Sequence, residues 1–157
     1  MSETSAFRCL LRVRYAEVDA QNVVFNARYA DYVDVAVTEF VRALGFAEDF
    51  VEGRLDYQLV KQSITWQAPA AFDAVLALGV SVDHVGTTSF RLRTDITRLP
   101  DGQALAEVET VYVIVDHHTL TKQAIPPAFR SALDQAARGL EVDLAGWRHG
   151  VQPQPPD

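Results

Sequence analysis

One acidic residue in this chain stands where it could attack a carbonyl group. The stretch Arg14-Tyr15-Ala16-Glu17-Val18-Asp19-Ala20-Gln21-Asn22-Val23-Val24-Phe25-Asn26-Ala27-Arg28-Tyr29 puts Asp19 in a short loop between a strand pattern and a long apolar helix pattern. A helix start carries backbone N–H groups without intrahelical partners and the positive end of the helix dipole. A carboxylate facing such donors is equipped for acyl transfer. It attacks the carbonyl or activates a water, and the donors hold the developing oxyanion. An isolated Asp before a helix would only complement the dipole, so the surrounding pattern decides the reading.

Asn26 precedes the helix pattern and suits an N-cap, where a side-chain oxygen accepts from an early backbone N–H. Its own backbone N–H is a donor that survives side-chain change. Asn22 tolerates a left-handed backbone better than most residues, so the loop can turn there. Glu17 is close to Asp19 in sequence, but its direction is left open. Asp34 and Glu39 lie within the helix pattern and are expected to be solvated or ion-paired. His84, His117, His118 and His149 lack zinc-ligand spacing and read as turn or surface residues. Gly86-Thr87-Thr88-Ser89 lacks the Lys and glycine spacing of a phosphate loop and reads as a turn.

The elements that would hold these residues follow from periodicity. Residues Phe7 to Tyr15 alternate as a strand. Ala27 to Leu44 carries Ala30, Val33, Val37, Phe40, Val41 and Leu44 at helical spacing, with Gly45 as a stop. So apolar a helix must be largely enclosed, and a wrapped sheet would do that. Four strand patterns follow, at about 56–67, 74–85, 88–99 and 103–116, joined by stretches too short for crossover helices. The last is apolar on both parities and fits a central or interface strand. A short helix starts at Pro126-Pro127 and ends by Gly139. These elements give an α+β fold: a five-stranded antiparallel sheet, one long helix and a short C-terminal helix.

Composition narrows the function. The chain has 157 residues, 48% hydrophobic and 22% charged, which suits one domain over residues 1–150, with 151–157 expected to be a disordered tail. A net charge of −7 gives no general drive toward nucleic acid. The single Cys9 excludes an internal disulfide and reads as a small apolar strand residue. With no leader pattern and no long apolar run, a cytoplasmic protein without membrane insertion is expected.

Tyr15, Asp19, Asn22, Val23-Val24, Phe25-Asn26 and Tyr29 together resemble the signature of hotdog-fold acyl-CoA thioesterases, the 4-hydroxybenzoyl-CoA thioesterase-like family. The resemblance extends over most of residues 8–138. It implies that the sheet wraps the long helix and that an acyl thioester is hydrolysed to free acid and coenzyme A. It implies Asp19 as nucleophile or general base and the Asn26 backbone N–H as carbonyl donor. Val24, Phe25 and Tyr29 are implied near the acyl group. It calls for no metal and no cofactor beyond the coenzyme A of the substrate. It also implies a homodimer or homotetramer with the site between protomers. Some relatives carry His where this chain has Asn26, so a side-chain acid–base role there is absent or moved. Lys61, Arg91, Arg93, Lys122 and Arg130 could meet coenzyme A phosphates, but each reads first as a solvated surface charge. The alternatives are an acyl-carrier-protein thioesterase and a non-catalytic acyl-thioester binding module. A hotdog dehydratase would want a His near the motif, and there is none.

Overall fold

The structure, a computed structural model, describes residues 6–148. The expected tail at 151–157 and His149 lie outside those residues. Strand β1 (Phe7–Arg12) leads through a 3-10 turn at Tyr15–Glu17 into helix α1 (Arg28–Ala43) and a short helix α2 (Ala47–Val51). Strands β2 (Tyr57–Trp66), β3 (Val75–Val85), β4 (Ser89–Leu99) and β5 (Ala104–Ile114) follow, then helix α3 (Pro127–Gln135) and strand β6 (Glu141–Asp143). The sheet order is β2-β5-β4-β3-β1-β6.

Two expectations need correction. The sheet has six strands rather than five, and the sixth, β6, runs parallel to β1. Only three residues long, β6 has no room for a strand period of its own, and β1 recruits it. Arg8 N–H donates to Leu140 O at 3.0 Å, Leu144 N–H donates to Leu10 O at 3.0 Å, and Arg8 pairs with Glu141 at 3.4 Å. The first strand also stops at Arg12 instead of Tyr15. Backbone pairing continues to Val13 through Ala74, and then Glu17 folds back onto Arg14 and forces a 3-10 turn.

The sheet packs against α1. Eight residues, 67–74, carry the chain from β2 at one edge to β3, three strands away. Three strand spacings amount to roughly 14 Å, within the roughly 27 Å that eight extended residues reach. This connection passes under the start of α1, where Val24 N–H donates to Ala70 O at 2.8 Å and Val23 bridges Ala71.

Tyr29, Tyr32, Val33, Ala36, Val37, Phe40 and Val41 of α1 are buried. They share one core with Phe7 and Cys9 of β1, Leu76 and Leu78 of β3, Phe90, Leu92 and Ile96 of β4, and Val108 and Tyr112 of β5. Burying a large apolar side chain contributes about 1.5–3 kcal/mol, well above the few tenths per residue that separate ordinary helix propensities. Packing therefore holds α1. Phe129 of α3 closes the far end, with ring centroids 5.2 Å from Phe46 and 5.5 Å from Phe90. Strand β5 lies between β2 and β4, inside the sheet, as its two-sided apolar pattern suggests. No helix among the described residues is long and apolar enough to cross a membrane.

Candidate active site

Asp19 starts a tight turn at the tip of a small hairpin. Asp19 N–H donates to Val23 O, Asn22 N–H donates to Asp19 O, both at 2.9 Å, and Val18 bridges Val24. Asn22 takes the left-handed conformation at φ 61°, the role its type suggests. The Asp19 carboxylate is exposed, and its Oδ1 accepts the Gln21 N–H at 2.8 Å. Its other oxygen has no protein donor among the described residues, which leaves it open to water or substrate.

The helix start lies at the base of the same hairpin. Phe25 N–H donates to Glu17 O at 3.0 Å, and Phe25 O accepts the Arg28 N–H at 2.9 Å. The N-cap position of α1 falls on Ala27, whose side chain cannot cap, rather than on Asn26. The expected Asn26 side-chain cap is therefore absent, because the chain already turns helically at Ala27. Among the described residues, the Asn26 and Ala27 backbone N–H groups donate to no other protein group. Such N–H groups at a helix start have no intrahelical partner.

Glu17 is the buried acid beside this pair, only 5% exposed. Its Oε1 accepts Arg14 N–H at 2.7 Å and the Tyr32 hydroxyl at 2.9 Å, and its Oε2 accepts Arg14 Nε at 3.1 Å and Nη2 at 2.8 Å. Burial alone would raise its pKa, but the Arg14 side chain and backbone and the Tyr32 hydroxyl outweigh that and hold it below the ordinary range. Four donors on two oxygens fill its acceptor positions, so Glu17 cannot take a proton from water. The two acids have opposite character: Glu17 is saturated and fixed, and Asp19 has capacity to spare. Glu17, Arg14 and Tyr32 also line a surface cleft of about 410 Å³ with Leu11, Val35 and Leu144.

Of the expected acyl neighbours, Phe25 is 53% exposed, whereas Val24 and Tyr29 are core residues at 3% and 2%. Tyr29 packs edge-on against Tyr32 and against the partly exposed Trp66 of β2, with centroids 6.1 and 6.0 Å apart. Tyr15 and Phe72, both exposed, meet edge-on at 6.0 Å. Trp66 and Phe72 are site neighbours that sequence reading missed. Trp66 ends β2 and Phe72 lies in the connection that pairs with the hairpin, a proximity created by tertiary pairing and absent from local sequence.

Most of the cations weighed as phosphate partners lie on the surface in ion pairs. Lys61 pairs with Glu109, Arg91 with Asp83 and Arg93 with Asp95 and Glu107, a charge lattice across β2–β5. Arg130 donates to Gly86 O. Glu39 pairs with Arg42, as expected for a helix-surface acid. Burial, and secondarily Asp31, raises the Asp34 carboxyl above its ordinary range. His117 Nδ1 lies 3.0 Å from Asp56 Oδ2. No group of three or more His, Cys, Asp or Glu among the described residues could hold a metal ion.

Known proteins resemble this chain in sequence and fold. The family model described as the thioesterase-like superfamily matches residues 13–133. Acyl-CoA thioester hydrolase YbgC of Escherichia coli O157:H7 is 27% identical over 133 residues, 84% of this chain and 98% of that protein. Among solved structures, the Synechocystis 1,4-dihydroxy-2-naphthoyl-CoA thioesterase Slr0204 superposes with TM-score 0.74 at 20% identity, over 82% of this chain and 96% of that one. The Staphylococcus aureus protein SAV2348, solved in complex with CoA, superposes with TM-score 0.79 at 14% identity, over 99% of both chains. A match spanning most of the chain, with the Asp19 hairpin and the helix start inside it, makes this chain a member of the thioesterase-like superfamily.

Proposed function

We propose that this chain is an acyl-CoA thioesterase, with water converting an acyl thioester to a carboxylic acid and free coenzyme A. The observation that carries the reading is the pairing of a partly unengaged carboxylate, Asp19, with the unpaired Asn26 and Ala27 N–H groups at the other end of one hairpin. In one route an Asp19 oxygen adds to the thioester carbon and the C–S bond breaks. The thiolate leaves and takes a proton, and water then cleaves the mixed anhydride. In the other route Asp19 takes a proton from water as the oxygen adds to the carbon, and the thiolate leaves with that proton. In both, the carbonyl oxygen gains charge and the helix-start N–H groups stabilise it. Phe25 contacts the acyl group, with Val24 and Tyr29 backing it from the core. The CoA-bound structural neighbour and the 27% identical acyl-CoA thioester hydrolase support coenzyme A as the thiol carrier.

The working unit in this reading is a homodimer. Strand β2 is a ten-residue free edge with Leu59, Val60 and Trp66 at 45%, 58% and 47% exposure. A long apolar edge is a template for another strand. A second copy pairing there would cover Trp66 and wall the open side of the hairpin.

Thiol release from short, long and aromatic acyl-CoAs tests the reading, with two substitutions at the helix start. Asn26→Ala keeps the backbone donor and should hold kcat within about threefold, whereas Asn26→Pro removes it. Losing one oxyanion donor costs about 10²–10³ in kcat. Equal rates for the two variants would remove the Asn26 N–H from the mechanism. Tight binding of acyl-CoA without turnover would make the chain a binding module.

A further inference from the structure

We infer that Glu17 is a positioning residue for the hydrolysis, holding the Asp19 hairpin against the start of α1. This rests on the thioesterase reading above. Glu17 cross-links three parts of the chain by side chain and backbone together. Its carboxylate holds Arg14, just past β1, and Tyr32 in the second turn of α1. Its carbonyl accepts the N–H of Phe25, the residue before Asn26. Its own N–H donates to Arg14 O at 3.0 Å. Asp19 is two residues further on, at a hairpin tip whose own side-chain bond is local to the turn. The register between Asp19 and the Asn26 N–H is therefore set by Glu17 on one side and by the Ala70–Ala71 pairing on the other.

The arrangement has a cost that a merely structural hairpin would avoid. A carboxylate has been taken almost wholly out of water, which is unfavourable unless every acceptor position is met. An apolar residue packed on Tyr32 would hold the loop loosely without that penalty. Directional bonds fix distance and angle, and a misplacement of 1 Å in a reacting group costs on the order of 100-fold in rate. Arg14 is the exposed half of its pair, with a side chain 78% accessible, and Tyr32 is the buried anchor, so the bond to Tyr32 ties the loop to the helix.

The test combines kinetics and hydrogen exchange on the full chain. Glu17→Gln should lower kcat per folded molecule by about 10-fold or more while KM stays within about twofold. Tyr32→Phe should give a smaller kcat loss, and the double variant should be no slower than Glu17→Gln alone, since both break one linkage. Exchange of the Asp19 and Phe25 amides should quicken in Glu17→Gln, with the Val33–Phe40 amides of α1 unchanged. A purely structural role would lower thermal stability but leave kcat per folded molecule intact, and that result overturns the inference. If the wild type releases thiol from no acyl-CoA, the thioesterase reading fails. The exchange data then judge Glu17 alone, and unchanged Asp19 and Phe25 exchange would overturn the cross-link itself.

Discussion

Replacing Glu17 with Gln should cost stability in a pH-dependent way. The carboxylate accepts four hydrogen bonds, three of them from Arg14, and a bond to a charged group contributes about 1.5–3 kcal/mol net of the water it replaces. Breaking a buried ion pair costs about 3–5 kcal/mol when a charge is left stranded in the interior. Here the residue left behind is Arg14, whose exposed side chain regains water, so a loss of about 2–3 kcal/mol is expected. For a chain of this size that lowers Tm by about 4–12 °C. Because the folded pKa of Glu17 is depressed, its stabilisation is present above the unfolded value, about 4.3, and is lost as pH falls through the folded one. Urea unfolding of both proteins at neutral pH and mildly acidic pH should therefore give the same gap. In a solution acidic enough to protonate the folded carboxylate, the gap should narrow. A gap of constant size at every pH, or a more stable Gln variant, would refute the claim that four donors outweigh the burial of this charge.

Three further outcomes are expected. Thr94 is fully buried and its hydroxyl finds no partner among the described residues, so Thr94→Val should leave stability unchanged or raise it by up to about 1 kcal/mol in urea unfolding; a loss above that would reveal a bonded hydroxyl. Val60→Asp puts a charge on the free edge of β2 and should convert a dimer to monomers in sedimentation velocity, with thiol release lost together with the dimer; a wild type that sediments as a monomer would contradict the edge pairing. Cys9 is buried, and desolvation first and Glu39 second push its thiol up to about 12, so a thiol-specific colour reagent should read nothing in the native protein and one thiol in denaturant.

The long helix and the central place of β5 were legible because their apolar residues recur with a definite period and nothing else competes for them. One detail of the loop was legible too: Asn22 takes its left-handed turn, whereas the closing of residues 18–24 into a hairpin was not. What could not be read belongs to tertiary structure. The end of β1 is set by a Glu17 side chain reaching back to Arg14, and β6 is three residues fixed by a neighbour. The cations on β2 and β4 read as free charges in a one-dimensional pattern, but strand register sets each beside a carboxylate of β3 or β5. The buried state of Glu17 follows from Tyr32, 15 residues away across the hairpin, and no local spacing announces it.

The catalytic assignment is tested most directly by thiol release from an acyl-CoA panel with the wild type and Asp19→Asn, each shown to be folded. The wild type should turn over at least one acyl-CoA, and the Asn variant should be slower by at least about a hundredfold, the low end for removing a catalytic acid–base group. Equal rates would place the reacting carboxylate somewhere other than Asp19.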